Sequence, residues 1–123
     1  MSLISPQVEQ HYRNPCGADA VLTGDNVVSG RAGRLATGAV LELRLQIQGS
    51  TIEAASFEAF GCPATVACGS WLAAWLPGRE LAEAAALTGL EVARQLALPP
   101  LKTGVALVAE DALKAALQAW QND

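Results

Sequence analysis

Basic and aromatic residues are scarce in this chain of 123 residues. Lysine and arginine number 8 against 12 aspartates and glutamates, which gives a formal net charge of −4, and aromatic residues make up 5%. A protein that binds DNA or RNA needs a basic surface, because that surface has to neutralise phosphates. We therefore expect no nucleic-acid partner.

Catalytic arrangements are also missing. The one histidine, His11, is far in sequence from other reactive side chains, and we find no Ser/His/Asp pattern, phosphate-binding loop or pair of carboxylates. We therefore expect that the protein is not an enzyme. His11 itself is predicted to be a solvated or capping side chain rather than a metal ligand, because a metal needs several donors.

Disulfides, export signals and membrane spans are not expected either. The chain has three cysteines, and an odd number does not form a disulfide framework. This favours free thiols in a reducing compartment. The start of the chain lacks a basic segment followed by an apolar run. Residues 59–78 carry no charged side chain, but glycines and prolines interrupt them, which favours a buried helix over a membrane span. The expected location is the cytoplasm, without a membrane partner.

Hydrophobic residues make up 51% of the chain, enough for a core, so we expect a single domain over residues 1–123. Ser5 followed by Pro6 predicts the start of a short helix that ends near Tyr12. A glycine-interrupted edge strand is predicted over residues 27–35.

The strongest periodicity lies in residues 41–48, where leucine or isoleucine alternates with charged or polar residues. This pattern predicts a strand with one buried face. Gly49 and Ser50 fit a two-residue hairpin turn, and residues 51–60 form the partner strand, with a bulge near Ala54.

Helical patterns follow. Residues 63–76 carry an apolar stripe, and Thr88 and Glu91 have the spacing of a capping box for a helix that ends near Leu96. A last amphipathic helix includes residues 109–120. Strands first and helices afterwards predict an α+β fold, in which helices pack on one face of a three-stranded antiparallel sheet.

Cys62 lies where the strand pattern stops and the helix pattern begins. Pro63 suits the first helical position, which places Cys62 at the N-cap, and Gly61 permits a sharp turn before it. Unpaired amides and the helix dipole favour a thiolate there. Cys62 is therefore the candidate reactive residue, and the alternative is a small side chain that only packs.

The chain resembles the IscU/NifU N-terminal type of iron–sulfur cluster assembly scaffold. The pieces that carry the resemblance occur in the same order over nearly the whole chain: YRNP at residues 12–15, NVVSG at 26–30, FEAFGC at 57–62, LPPLK at 98–102 and AEDA at 109–112. The resemblance implies the α+β fold of IscU-like and SufE-like proteins. It also implies a role in iron–sulfur cluster assembly.

In that family, three cysteines, an aspartate and a histidine hold zinc or the nascent cluster. Of these ligands only Cys62 is present here. Thr37 stands at the position of the first cysteine, Ala39 at the aspartate, Gly104 at the histidine and Val105 at the third cysteine. Because a metal site needs about four donors, we expect at most a transient iron–sulfur cluster and no zinc within the monomer. Cys16, on a predicted turn, is the candidate for a second ligand.

The resemblance also implies two partners. A cysteine desulfurase would supply sulfur, and a heat-shock-type ATPase chaperone would bind the LPPLK segment, defined as Leu98, Pro99, Pro100, Leu101 and Lys102. The prolines alternatively just separate two helices.

Three functions remain open at this point. The first is a scaffold with a degenerate ligand set. The second is a SufE-like acceptor that carries persulfide sulfur on Cys62, which needs one accessible thiolate and no metal cage. The third is a non-catalytic binding module of the assembly machinery, to which Trp71 and Trp75 would contribute if they are not simply packed.

Overall fold

The computed structural model of the protein describes residues 5–18, 22–34, 36 and 38–121. The elements in chain order are α1 (Pro6–Arg13), β1 (Val27–Arg34), β2 (Ala39–Gln48), β3 (Thr51–Gly61), α2 (Pro63–Trp75), α3 (Leu81–Ala86), α4 (Gly89–Gln95), a 3₁₀ turn (Pro100–Lys102) and α5 (Thr103–Gln121).

The sheet is antiparallel with the strand order β1-β2-β3. Its central strand confirms the predicted alternation, since Leu41, Leu43, Leu45 and Ile47 are all buried. The predicted two-residue turn is also confirmed, and Gly49 has the positive φ of 63° that such turns need. The pairing of β2 with β3 shifts between Gln46 and Ile47, which leaves Glu53 of β3 without a partner residue on β2. This bulge lies one residue before the predicted position at Ala54.

The long helices cover one face of this sheet, which confirms the predicted α+β fold. Helix α2 packs on β3, and α5 lies across β1 and β2. Gly30 lets α5 approach β1 closely: a Cβ there would come within 2.2 Å of the Ala116 amide nitrogen. Gly69 does the same for α2, where a Cβ would lie 2.3 Å from the Phe57 ring.

Helix α3 was not predicted from the sequence. It begins after Glu80, whose N–H donates to the Glu83 carboxylate at 3.2 Å. The predicted capping box at Thr88 is only half formed. The Thr88 hydroxyl accepts the Glu91 N–H at 3.2 Å, but the Glu91 carboxylate binds Arg94 and Gln95 instead of reaching back.

Helix α5 closes the fold and begins at Thr103, earlier than its strongest pattern indicated. Its Glu110 carboxylate accepts the N–H of Gly89 at 2.6 Å and thereby caps the start of α4 from outside. Within the ranges described above, no helix has both the length and the apolar character required to cross a bilayer.

We predict opposite effects of alanine at two glycines. Gly30→Ala should lower the free energy of unfolding by about 2–3 kcal/mol, because its Cβ overlaps the backbone of α5. Gly104→Ala is the matched control, since it is exposed on the first turn of α5 with no atom near a Cβ, and it should raise stability by up to about 1 kcal/mol. Urea denaturation measures both. Equal effects of the two substitutions would contradict the close approach of β1 and α5.

Candidate functional site

Cys62 is the N-cap of α2, as predicted. Its backbone is extended, with φ −74° and ψ 168°, and Pro63 is the first helical residue. Its carbonyl accepts the Thr65 N–H at 2.9 Å and opens the helix. The side chain is half-buried rather than enclosed, so the sulfur is accessible.

The surroundings of Cys62 favour its thiolate. Burial acts to raise the pKa of Cys62, but hydrogen bonds at Thr65 and Ala64 and the charge of Lys102 outweigh it and hold the pKa below its ordinary value. The Thr65 hydroxyl oxygen lies 3.5 Å from the sulfur. The sulfur makes no full capping bond to the helix amides, yet the Thr65 and Ala64 amides are close enough to stabilise a negative charge.

A cavity of about 230 Å³ opens at this sulfur. Four parts of the chain line it: α1, the start of α2, the loop after α4, and the 3₁₀ turn. The lining residues are Val8, Cys62, Pro63, Ala64, Leu98, Pro99 and Lys102. The structure therefore brings the LPPLK segment and the candidate thiol together, a contact that sequence reasoning missed.

Ser5 helps to hold the wall that α1 contributes. Its hydroxyl accepts the Val8 N–H at 3.1 Å, as expected of an N-cap, and donates to the Leu96 carbonyl at 2.5 Å. This second bond ties the start of α1 to the end of α4. Val8 and Leu98 consequently face the same cavity.

Gly61 provides the sharp turn that the sequence predicted. Its φ is +146°, and a Cβ there would lie 2.2 Å from the Gly38 carbonyl oxygen and 2.9 Å from the Thr65 hydroxyl. The loop between β1 and β2 therefore adjoins the residue that precedes Cys62. Thr37, the position of the family's first cysteine, lies outside the described residues.

The remaining ligand positions hold no donor for a metal. Ala39 begins β2 and is only 6% exposed, while Gly104 and Val105 lie on the first turn of α5, directly after Lys102. In the part of the chain that the structure describes, no three His, Cys, Asp or Glu side chains are grouped to hold a metal ion. One sulfur and a hydroxyl do not fit the four-donor set of zinc or of an iron–sulfur cluster.

The other two cysteines lie apart from this cavity. Cys68 is buried in the core, and burial, with a smaller contribution from Cys62, raises its pKa to about 12. Cys16 is exposed, and its N–H donates to the Ser70 hydroxyl at 2.8 Å. Because Ser70 is eight residues further along α2 than Cys62, or about 12 Å along the axis, the structure does not bring Cys16 and Cys62 together.

The imidazole of His11 also contacts the Ser70 hydroxyl. Its Nδ1 lies 2.7 Å from the oxygen of Ser70, which is fully buried. The Ser70 oxygen accepts the Cys16 N–H, and in its bond to Nδ1 of His11 either atom can be the donor. Burial lowers the pKa of His11. His11 thus connects α1 to α2 by a hydrogen bond and has a structural role near the cavity.

Trp71 and Trp75 stack on each other with ring centroids 5.6 Å apart, and the Arg79 guanidinium lies 4.3 Å above Trp75. Both rings are partly buried against the core. Packing on α2 therefore accounts for them.

Comparison with known proteins shows which family this chain is similar to. A family model described as the NifU-like N terminal domain matches residues 4–123. The chain is 38% identical over 122 residues to the mitochondrial iron sulfur cluster assembly protein 1 of Eremothecium gossypii, which covers 95% of this chain and 78% of that protein. It is 36% identical over 120 residues to the iron-sulfur cluster assembly scaffold protein IscU of Escherichia coli K12, which covers 96% and 94%.

A solved structure shows the same fold. The N-terminal part of a nitrogen-fixing NifU-like protein from Brucella abortus matches with a TM-score of 0.73 at 12% identity, over 97% of this chain and 94% of that one.

We predict that the Thr65 hydroxyl controls the reactivity of Cys62. Thr65→Val keeps the side-chain shape and removes a bond to the thiolate, so the pKa of Cys62 should rise and its alkylation at about pH 7 should slow several-fold. Peptide mass spectrometry after iodoacetamide treatment measures this rate. Thr65→Ser retains the hydroxyl and serves as control, and equal rates in the valine and serine variants would refute the role.

We also predict a pH dependence of stability from His11. Because its pKa is lower in the folded than in the unfolded chain, the unfolded chain binds the proton more readily, and stability is lost as pH falls below about 6.5 toward the folded pKa. Urea denaturation at about pH 7.5 and about pH 5.5 measures the loss. His11→Asn keeps an acceptor without a titrating proton and should show a smaller loss over this range. An identical loss in both proteins would contradict the assignment.

Proposed function

This chain belongs to the family of NifU-like N-terminal domains, and on that premise we propose that it is an iron–sulfur cluster assembly protein whose chemistry depends on Cys62. It acts by holding and passing on its cargo rather than as an enzyme. The observation that supports this most directly is the half-buried thiol at the start of α2, which opens on a cavity and has a lowered pKa.

The cargo is an iron–sulfur cluster or its parts. Cys62 contributes one thiolate, and the other ligand positions, Thr37, Ala39, Gly104 and Val105, add none by residue type. A cluster that touches this chain therefore takes its remaining ligands from elsewhere, such as a second protein, and stays only briefly. Zinc is not expected to be held within the monomer.

One observation favours a second candidate function, that of a sulfur acceptor. A single thiolate without a metal cage is the requirement for receiving a persulfide. The Cys62 thiolate would attack the outer sulfur of a donor R–S–SH. The donor S–S bond breaks, the donor leaves as a thiolate, and Cys62 carries the S–SH group, with no net oxidation.

Two partners belong to this proposal. A cysteine desulfurase would supply the sulfur at Cys62. A heat-shock-type ATPase chaperone would bind the LPPLK segment, which is supported by the exposure of Leu101 at 93%. Three free thiols agree with a reducing compartment such as the cytoplasm.

The proposal is tested with anaerobically purified protein, a cysteine desulfurase, cysteine and ferrous iron. We expect a mass gain of whole sulfur atoms on the Cys62 peptide, and visible absorbance when iron is present. Both signals should disappear in Cys62→Ser and persist in the control Cys16→Ser. Metal analysis should find no stoichiometric zinc.

Two results would overturn the proposal. One is that Cys62→Ser retains both sulfur and iron. The other is that the native chain takes up neither sulfur nor iron, and that the native chain and the Cys62→Ala variant bind the desulfurase equally well. The protein would then be a docking module of the machinery.

A further inference from the structure

A strained residue precedes the LPPLK segment. Ala97 has a φ of +50°, and among the residues that the structure describes it is the only one other than glycine with a positive φ. It follows the C-cap of α4, a position where helices commonly carry glycine, because a Cβ is unfavourable in the left-handed conformation. The alanine bears that steric cost, so other contacts must hold the chain in this turn.

Two backbone hydrogen bonds form the turn. The Ala97 N–H donates to the Arg94 carbonyl at 3.1 Å, and the Leu98 N–H donates to the Ala93 carbonyl at 2.9 Å. This pair of bonds is the pattern of a Schellman motif, which satisfies the last carbonyls of a helix. The direction in which the LPPLK segment leaves α4 is therefore set by the strained residue.

The LPPLK segment itself buries little of its surface. Each of its side chains is at least partly exposed, and Leu101 is 93% exposed. Inside the segment, the Lys102 N–H donates to the Pro99 carbonyl at 2.8 Å, while the two prolines have no N–H to donate. Segments with little burial and few backbone hydrogen bonds are the parts of a protein that open at low free energy.

Ser5 links the start of this turn to α1. Its hydroxyl donates to the carbonyl of Leu96 at 2.5 Å and accepts the Val8 N–H at 3.1 Å. Leu96 is fully buried, so the firmly packed part of α4 ends there. Val8 and Leu98, which lie on either side of this link, both line the cavity at Cys62.

We propose that the LPPLK segment opens locally on the intact fold, with Ala97 as the hinge, and that the hydrogen bond from Ser5 to Leu96 keeps it closed. Opening lets Ala97 leave the left-handed conformation, which offsets part of the cost of the broken contacts. In the closed form Leu101 is exposed while Leu98 lines the cavity. In the open form a partner reaches both leucines. This deepens the proposed function, on which it rests only for the identity of that partner.

Native-state hydrogen exchange, followed by NMR, measures the opening in the protein alone. The amides of Leu98 and Lys102 report on the segment. The amide of the fully buried Ile47, which donates to the Asn26 carbonyl at 2.9 Å, reports on the core. We expect Leu98 and Lys102 to be protected, yet to exchange faster than Ile47, because they open without global unfolding.

Ser5→Asp separates the two hydrogen bonds of the serine. The carboxylate still accepts the Val8 N–H as a helix cap, but it cannot donate to the Leu96 carbonyl. Exchange at Leu98 and Lys102 should become about two- to tenfold faster, as expected for the loss of one hydrogen bond, while the core amides keep their rates. Ser5→Thr retains the hydroxyl and should exchange like the native protein.

Ser50→Ala is the matched control for the loss of a hydroxyl. It removes a hydrogen bond to the Glu80 carboxylate in another part of the fold, so the amides of the segment should keep their rates.

Ala97→Gly tests the hinge, and it is the second variant in case Ser5→Asp fails to fold. Glycine adopts a positive φ without the steric cost of a Cβ, so the closed form gains stability. Exchange at Leu98 and Lys102 should therefore slow several-fold.

Three results would overturn the proposal. The first is an equal opening free energy at Leu98 and Ile47 in the native chain, because the segment would then open only when the whole protein unfolds. The second is unchanged exchange of the segment in Ser5→Asp or in Ala97→Gly. The third is equal acceleration of all amides in Ser5→Asp. The assay contains no iron, sulfide or partner, so its failure and that of the proposed function are distinguishable.

Discussion

The junction between β3 and α2 is the constraint on which the site depends. Gly61 turns the chain with a φ that side chains rarely adopt, and its bare Cα lies against the Gly38 carbonyl. Helix α2 then starts at once, so that Cys62 faces the free amides of its first turn. A Cβ at position 61 would come within 2.2 Å of the Gly38 carbonyl oxygen, so the β1–β2 loop or the turn before Cys62 would have to shift. The turn therefore couples the position of the thiol to the sheet itself.

The sheet could be predicted because its signal is local and strong. Alternation in residues 41–48 reports a strand with one buried face, and Gly49 reports the hairpin. Helix α3 was missed because it is only six residues long and buries only Ala84, so it has no apolar stripe to detect. Its one available signal was the pair of glutamates at 80 and 83, which have the spacing of a cap.

The candidate site was predictable only in its local part. The position of Cys62 at a helix start follows from the neighbouring proline and glycine, which a sequence displays directly. The cavity depends on contacts between distant segments. Ser5 binds Leu96, His11 binds Ser70, and Lys102 lines the same cavity as Cys62. No periodicity in the sequence indicates any of these pairs. The family resemblance rested on the order of the motifs. It did not indicate that the LPPLK segment and Cys62 line the same cavity.

Because the LPPLK segment lines the cavity at Cys62, the surroundings of the thiol and the surface of the segment depend on the same residues. Leu98 and Pro99 line the cavity that opens at the sulfur, whereas Leu101, two residues after Pro99, is nearly fully exposed. A partner that binds Leu101 would therefore contact the same five-residue segment that forms part of the wall of the cavity.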